Sequence, residues 1–410
     1  MILHSSDSVD VELVGRYGSP IYVYQLDAVA AAVADLRAAI PAGATLYYSL
    51  KANPHPAVAR ELRKGGCHAE ISSEGELAAA RAAGFSGADC LYTGPAKSLE
   101  ELSAALAAGV TLFSVESAAD YGRVARAAAN AGTIARCLLR ISGTANGGAG
   151  LRMTGTASQF GVDAHEFLDS PDRFADFEGA RVVGAHFFPV SNVSDEEGLA
   201  AELEESIATA ARLRREGALR LEYLDLGGGF AAPYAKPGNR PNYPMLRRRV
   251  SKALDAHLPE WRDSRMTLAF ESGRHLVGDC GRLICCVVDV KDRSGRTFVL
   301  LDSGINHLGG LSGLGRMLPE AVPVLGEEAT ELTTVTLAGP LCTPADVISR
   351  SIDLARLRPG DLIVFPNLGA YGLTASLIAF LGRPSPTEVV LRGDVVVSAS
   401  RLRLTRETLP

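Results

Sequence analysis

With 410 residues, 47% of them hydrophobic and 21% charged, the chain holds material for about two domains with substantial buried cores. Its 42 glycines and 21 prolines are too few for a low-complexity chain, and 41 basic against 47 acidic residues argue against a nucleic-acid-binding protein. No apolar run reaches the about 18 residues of a membrane helix, and Asp7, Asp10 and Glu12 stand where a secretory signal would be basic and then apolar, so a cytoplasmic globular enzyme is expected.

In chain order, Val11–Tyr24 reads as strand-like. From residue 28 to 271 the pattern then alternates. Short runs rich in β-branched and aromatic residues recur at Leu46–Ser49, Ala69–Ile71, Cys90–Tyr92, Leu112–Val115, Cys137–Ile141, Val182–Phe187, Leu221–Leu226 and Leu268–Phe270. Helical periodicity fills Pro56–Lys64, Glu74–Ala83, Leu99–Ala108, Ala118–Ala131 and Gly198–Glu216, and several of these end in glycine, as helix C-caps do. Eight strands alternating with helices predict a (β/α)8 barrel over residues 28–271; a doubly wound sheet shares the rhythm. Gly143–Gly155, with Asn146-Gly147-Gly148, is too polar for core and is expected to be a mobile loop beside the site.

After residue 271 the rhythm changes. Leu283–Val290, Thr297–Leu301, Glu331–Leu337, Asp361–Phe365 and Glu388–Arg392 read as strands, with a short helix near Ala370–Phe380. Residues 1–27 and 272–410 are therefore expected to form one β-domain. Cys280, Cys285 and Cys286 lie in alternating, strand-like sequence without a Cys-x-x-Cys pair, so buried thiols are expected there, with neither a metal site nor a disulfide framework.

In a barrel the reacting groups stand at the C-terminal ends of strands. The first strand runs into Tyr48-Ser49-Leu50-Lys51-Ala52-Asn53. A lysine closing an apolar run is expected to be desolvated, which disfavours its charge and makes it a nucleophile fit for a Schiff base; a lysine snorkelling from a strand end looks the same. The seventh strand ends in Leu226-Gly227-Gly228-Gly229-Phe230, where bare backbone N–H groups can approach an anion, although three glycines can also be only a tight turn. The eighth ends in Phe270-Glu271-Ser272-Gly273-Arg274, offering a carboxylate to a pyridinium nitrogen and an arginine to a phosphate. Amine, cradle and carboxylate together are what pyridoxal phosphate needs.

With Gly339-Pro340-Leu341-Cys342 and Gly369-Ala370-Tyr371-Gly372, these motifs make the chain resemble, over nearly its whole length, the fold-type III pyridoxal-phosphate decarboxylases, the group of diaminopimelate and ornithine decarboxylases. The resemblance implies a (β/α)8 TIM barrel followed by a β-barrel or sandwich domain that includes the N-terminal strand, in a head-to-tail homodimer with shared active sites. It implies a Lys51 aldimine, Glu271 on the ring nitrogen, and decarboxylation through a quinonoid. Gly227, Gly228, Gly229, Arg274 and Ser191 would surround the phosphate, with Ser272 and Gly273 beside the coenzyme and Tyr371 closing over it. Glu70 would lie near Lys51 and the ring. Cys342 would come from the partner subunit as proton donor, and Asp346, in the same loop, would help to position substrate.

Departures from the family pattern bear on the substrate. Phe188, in Gly184-Ala185-His186-Phe187-Phe188, replaces a histidine that stacks on the coenzyme ring, while His186 falls on the same side of an ideal strand and would contribute toward the substrate. Thr343 replaces the acid after the cysteine that reads a distal ammonium. Asp302–Gly310 replaces an arginine-containing stretch for a distal carboxylate, and Leu377–Gly382 replaces a Tyr-Asn pair. A free diamino diacid would leave charges unpaired in such a pocket. The pattern resembles the branch of the family that decarboxylates an aminoacyl group tethered to an acyl carrier protein in secondary metabolism, with the side-chain carboxylate of an acidic amino acid as the thioester. Arg247-Arg248-Arg249, or Arg212 with Arg214-Arg215, would serve as a docking patch for an acidic carrier; a solvated helix face is the alternative meaning. Decarboxylation of a free amino acid (diaminopimelate, ornithine, lysine or a siderophore precursor), racemisation and non-catalytic coenzyme binding are the competing functions. Cys342 in place of a tyrosine base weighs against a racemase, and the retention of Lys51, Glu271 and Cys342 weighs against a non-catalytic homologue.

Overall fold

A computed structural model describes residues 6–142, 151–152, 159–263, 265–308 and 332–408. The chain divides into two units, Ala30–Ala231 with Pro241–Leu276, and Met1–Val29 with Ala232–Arg240 and Val277–Pro410.

In the first unit, strands β1 (Thr45–Ser49), β2 (His68–Ile71), β3 (Cys90–Tyr92), β4 (Leu112–Val115), β5 (Ala135–Ser142), β6 (Ala180–Phe187), β7 (Tyr223–Asp225) and β8 (Thr267–Ser272) pair in parallel in that order. Pairing of β8 with β1 closes the ring into a (β/α)8 barrel. The returning helices begin where short polar side chains satisfy their first amides: Ser73 accepts from Glu76 N, Ser98 and Glu101 form a reciprocal capping box, and Ser117 accepts from Asp120 N. Inside the ring, Tyr47, Leu91, Leu112, Leu138, Val183, Tyr223 and Ala269 pack as one buried apolar layer, contributed by seven of the strands. The hydroxyls of Tyr47 and Tyr223 lie 2.8 Å apart and satisfy one another. This layer plugs the barrel, so inward side chains nearer the strand C-termini face its mouth.

The second unit is built on an eight-stranded sheet. Ile21–Gln25 lies between Gly281–Arg293, to which it is antiparallel, and Thr387–Arg392, to which it is parallel. The N-terminal strand is thus an interior member of this sheet. Its apolar face packs Ile21, Val23, Ile284, Val364, Val389 and Leu391 with Leu13.

Two expectations are corrected, and two strands join those the sequence pattern shows. Ser6–Tyr17 is a helix, so the predicted strand begins only at Ile21; Val9, Leu13, Val14 and Tyr17 recur at helical spacing and pack on the sheet. Val347–Ala355 and Val395–Arg401 are strands with little apolar alternation to reveal them, and Val395 and Val397 are exposed. The helix expected near Ala370–Phe380 is instead two single 3-10 turns, Leu373–Ala375 and Phe380–Gly382. The glycine-rich loop expected at 143–155 lies outside the described residues except for Leu151–Arg152, which pairs with Val190–Ser191. All seven cysteines are free thiols; Cys280 and Cys285 are buried and Cys286 is partly so. Among the described residues no helix is long and apolar enough to cross a membrane.

Candidate active site

Two residues beyond the apolar plug the same strand faces turn polar. Tyr47, Leu91, Leu112, Leu138, Tyr223 and Ala269 are followed at that spacing by Ser49, Thr93, Ser114, Arg140, Asp225 and Glu271. On β6 the step is three, Val183 to His186. A one-residue register shift against β5, where Cys137 faces Val182 but Leu138 faces Gly184, resets the alternation there.

Lys51 stands in the 3-10 turn Leu50–Ala52 that leaves β1. Its Nζ donates to both oxygens of Glu70, at 3.1 and 3.2 Å. The side chain is 44% exposed, so it is not desolvated as its place after an apolar run suggested; the turn carries it to the open rim. Glu70 is buried, and the Thr93 hydroxyl donates to it at 2.5 Å. Burial alone would raise the Glu70 pKa, but Lys51 and hydrogen bonds from Ser49 and Thr93 hold it below the ordinary value, leaving an ionised acceptor beside the amine. The Phe188 ring lies 5.9 Å from Lys51 Nζ and 6.0 Å from the Arg140 guanidinium. Arg140 is anchored by Glu116 at 2.9 Å, whose second oxygen accepts from Gly161 N at 3.1 Å.

Deeper in the mouth, His186, Asp225 and Glu271 are almost wholly buried. Ser114 Oγ lies 2.7 Å from His186 Nδ1, and His186 Nε2 is 3.3 Å from Glu271 Oε1. Burial, reinforced by Glu70 and Asp225, pushes the Glu271 carboxyl well above the usual range. Burial raises Asp225 to about 7 despite the Gly227 amide donating to it at 2.8 Å. Burial, with Arg140, Lys51 and Lys97, keeps the His186 imidazole neutral. His186 Nε2, Asp225 Oδ2, Glu271 Oε1 and Ser272 Oγ are shut off from solvent without an aligned hydrogen bond. Such orphans are rare in folded proteins and mark a place shaped for a partner. The first three residues also form the one trio among the described residues with ligand atoms near enough together, within 4.8 Å, to hold a metal ion.

The three glycines after β7 are sterically required. A Cβ on Gly227 would lie 2.1 Å from Phe187 O, and one on Gly228 would lie 2.4 Å from Glu271 O. Gly227 and Gly229 also hold positive φ, +68° and +104°. The Gly227 amide is taken by Asp225, so Gly228 and Gly229 are the members whose amides remain for an anion. Gly273 lets the end of β8 approach the Lys51 turn, where a Cβ would meet Ala52 at 2.8 Å. Arg274 opens the short helix Arg274–Val277 and is 8% exposed, while Ser191 is partly buried in the strand Val190–Ser191.

In the second unit Cys342 is exposed, as is no other cysteine. Asp346 is buried, and its carboxylate accepts from Ile305 N at 2.8 Å and Leu341 N at 2.7 Å. It therefore fixes the two backbone segments around Cys342, and its hydroxyl-bearing neighbour Thr343 is the half-exposed side chain of that loop. Tyr371 holds φ +54°, and its carbonyl accepts from the Tyr234 hydroxyl at 3.0 Å. Of the arginine clusters, Arg247 binds the carbonyls of Ile40 and Arg37, Arg249 makes a two-pronged pair with Glu204, and Arg214 and Arg215 pair with Glu260 and Glu216. Thr93, Ser114, Arg140 and Asp225 were not singled out from the sequence; the two-residue step from an apolar inward position would have found them.

Residues 26–278 match the family model described as pyridoxal-dependent decarboxylase, pyridoxal binding domain. The chain belongs to this family. It is 30% identical to the L-glutamyl-[BtrI acyl-carrier protein] decarboxylase of Niallia circulans, with 93% of this chain and 90% of that protein aligned. Diaminopimelate decarboxylase of Zymomonas mobilis is 26% identical over the same shares. Among solved structures, diaminopimelate decarboxylase from Helicobacter pylori complexed with L-lysine superposes with a TM-score of 0.82 at 25% identity, covering 94% of this chain and 95% of that one. The protein is thus a pyridoxal-phosphate-dependent amino-acid decarboxylase. The observed site suits that coenzyme: an accessible amine on Lys51, an orphaned carboxyl on Glu271, and a glycine cradle that any Cβ would fill.

Proposed function

We propose that this decarboxylase removes the α-carboxylate of an acidic aminoacyl group held as a side-chain thioester on an acyl carrier protein, acting as a homodimer in the cytoplasm. The observation that carries this reading is the absence of a fixed positive charge in the segment 302–308. It contains no lysine or arginine; burial lowers His307 to about 4 and raises the Asp302 carboxyl. A free distal carboxylate would find no cation within this segment, whereas a thioester needs none. Leu377, Phe380 and Leu381, in the stretch that departs from the family's polar pair, are 53%, 41% and 53% exposed, apolar surface suited to a pantetheine arm. The relative from Niallia circulans, named for a glutamyl-carrier substrate, supports the reading. Seven free thiols suit a reducing compartment.

When bound, pyridoxal phosphate supplies an aldehyde that bonds amines and a ring that accepts the electron pair left by departing carbon dioxide. Lys51 offers the resident amine, with Glu70 and Thr93 holding its position at the rim. Glu271, buried beneath the mouth, would hold the ring nitrogen. Gly228, Gly229, Arg274 and Ser191 would hold the phosphate, and Phe188 would lie against the ring. Cys342, an exposed thiol, would supply the proton to the substrate carbon from the partner subunit.

The second reading is a free diaminopimelate substrate, favoured by relatives of that name at 26–30% identity. Purified holoenzyme offered glutamyl-loaded carrier protein, free glutamate, diaminopimelate and ornithine separates the two by mass spectrometry. Loss of carbon dioxide from the loaded carrier is expected; fast turnover of free diaminopimelate with an inert carrier substrate overturns the proposal.

A further inference from the structure

The orphaned atoms under the mouth are not independent. His186 sits at 1% exposure between Ser114 on β4 and Glu271 on β8. Among the described residues the 2.7 Å contact to Nδ1 is the one side-chain hydrogen bond of Ser114, and burial keeps the ring neutral, so the ring carries one proton. If the Ser114 hydroxyl donates to Nδ1, that proton must be on Nε2. Nε2 is 3.3 Å from Glu271 Oε1, within bonding distance although the two atoms form no aligned hydrogen bond.

We propose that Ser114 and His186 form a positioning pair for Glu271, in which Ser114 fixes the Nε2–H tautomer of His186 and that N–H holds Oε1, leaving the other carboxyl oxygen to the coenzyme's ring nitrogen. The inference rests on pyridoxal phosphate binding in this mouth, but it assigns His186 to the carboxylate beneath the coenzyme and not to the substrate. Two features of the chain converge on it. The register shift on β6 is what turns His186 inward at the depth of Glu271. Of the other polar atoms at that depth, Asp225 Oδ1 is engaged by Gly227 N and Glu70 by Lys51 and Thr93, while Asp225 Oδ2 and Ser272 Oγ share the orphaned layer. A neutral donor also suits the position, because it can stabilise an ionised Glu271 without adding a second positive charge opposite a pyridinium.

The test begins on the pyridoxal-phosphate-loaded protein, because without the coenzyme burial favours a protonated Glu271 that can itself donate to Nε2. Nitrogen NMR of 15N-histidine-labelled protein, with the His186 signals assigned by their absence in His186→Gln, is expected to show a protonated Nε2 and bare Nδ1, and Ser114→Ala is expected to mix the tautomers. A protonated Nδ1 in the wild-type chain overturns the proposal. In the holoenzyme, His186→Leu is expected to lower kcat about tenfold or more with KM little changed, the size of one lost hydrogen bond to a charged group. His186→Gln, which keeps a donor nitrogen near the Nε2 position, is expected to recover most of kcat. Equal loss in the two variants, with folding intact by circular dichroism, overturns it. Zinc chloride is titrated into the coenzyme-free protein as well: a tight one-to-one complex that His186→Leu abolishes would make the trio a metal site and overturn the positioning role. Failure of any of these leaves the decarboxylase reading in place, because coenzyme attachment to Lys51 is read separately by absorbance.

Discussion

Gly228→Ala probes the coenzyme cradle with one methyl group. The added Cβ would sit 2.4 Å from the carbonyl oxygen of Glu271, about 1 Å inside ordinary van der Waals contact. The clashing atom is backbone of β8, so no side-chain rotation relieves it; either the turn after β7 or the end of β8 must move. Overpacking of this kind costs about 1–3 kcal/mol, and a contact against backbone belongs toward the upper end. Movement of β8 carries Glu271 with it, so the strain falls on coenzyme binding: at about 1.4 kcal/mol per tenfold, affinity for pyridoxal phosphate is expected to fall by about 10–100-fold. Titration of coenzyme-free protein, followed by the absorbance of Lys51-bound coenzyme, measures this. Gly122→Ala is the control. It lies inside the helix Ala118–Asn130 with nothing within 4 Å of a new Cβ, so it is expected to stabilise the fold by about 0.5–1 kcal/mol and leave coenzyme affinity alone. Wild-type coenzyme affinity in Gly228→Ala would refute the cradle geometry.

Other expectations follow from buried and exposed groups. Lys97 and Asp120 are 1% and 2% exposed and 2.6 Å apart, so Lys97→Met, which strands the carboxylate, is expected to destabilise by about 3 kcal/mol in urea unfolding; a change under half that size would mean Arg123 and the Glu116 amide alone satisfy Asp120. Burial raises Glu388 to about 7 against an ordinary 4.5, so the folded state holds an extra proton between those values, and this stability is full below pH 4.5 and is lost as pH rises through 7. Glu388→Gln should therefore gain on wild type by about 3 kcal/mol between pH 4.5 and pH 8, at about 1.4 kcal/mol per unit, and a pH-independent difference contradicts the burial argument. Cys342→Ala is expected to retain coenzyme while slowing turnover and diverting product toward transamination; unchanged kinetics and product stereochemistry remove the proton-donor role.

The barrel was legible because its signals are local. Each strand is a short buried run and most returning helices open on a serine or aspartate cap, so Leu112–Val115 and Ala118–Asn130 can be read without knowing what they touch. The second unit was less so. Val395–Arg401 is a strand because Thr387–Arg392 pairs with it, not because its residues alternate in burial of large apolar groups. The opening helix Ser6–Tyr17 was misread for a related reason: Val9, Val11, Leu13 and Val14 mimic strand alternation, and only packing on the sheet selects the helical spacing, leaving Val11 54% exposed. At the site, Lys51, Glu271 and the three glycines follow strand ends in ways that ask for explanation, whereas Asp346 gave no hint that its carboxylate is spent on the amides of Ile305 and Leu341.

Depth along the strand decides what each inward residue does. On β8, Ala269 belongs to the plug and Glu271 to the orphaned layer above it. On β6 the corresponding residues are Val183 and His186, and Phe188 follows two positions later, beyond the strand end and partly exposed at the rim. A histidine-to-phenylalanine exchange at the rim therefore alters only the face presented to a planar ring: stacking survives and a hydrogen-bond donor is lost. It leaves His186, one layer down, untouched, since the register shift between Val182 and Gly184 sets the inward direction of both residues from below. Removal of that shift would turn His186 outward and strand Glu271 without a neighbouring donor, while every rim residue stayed the same in sequence. The buried pairing of His186 with Glu271 thus depends on one extra residue in β6.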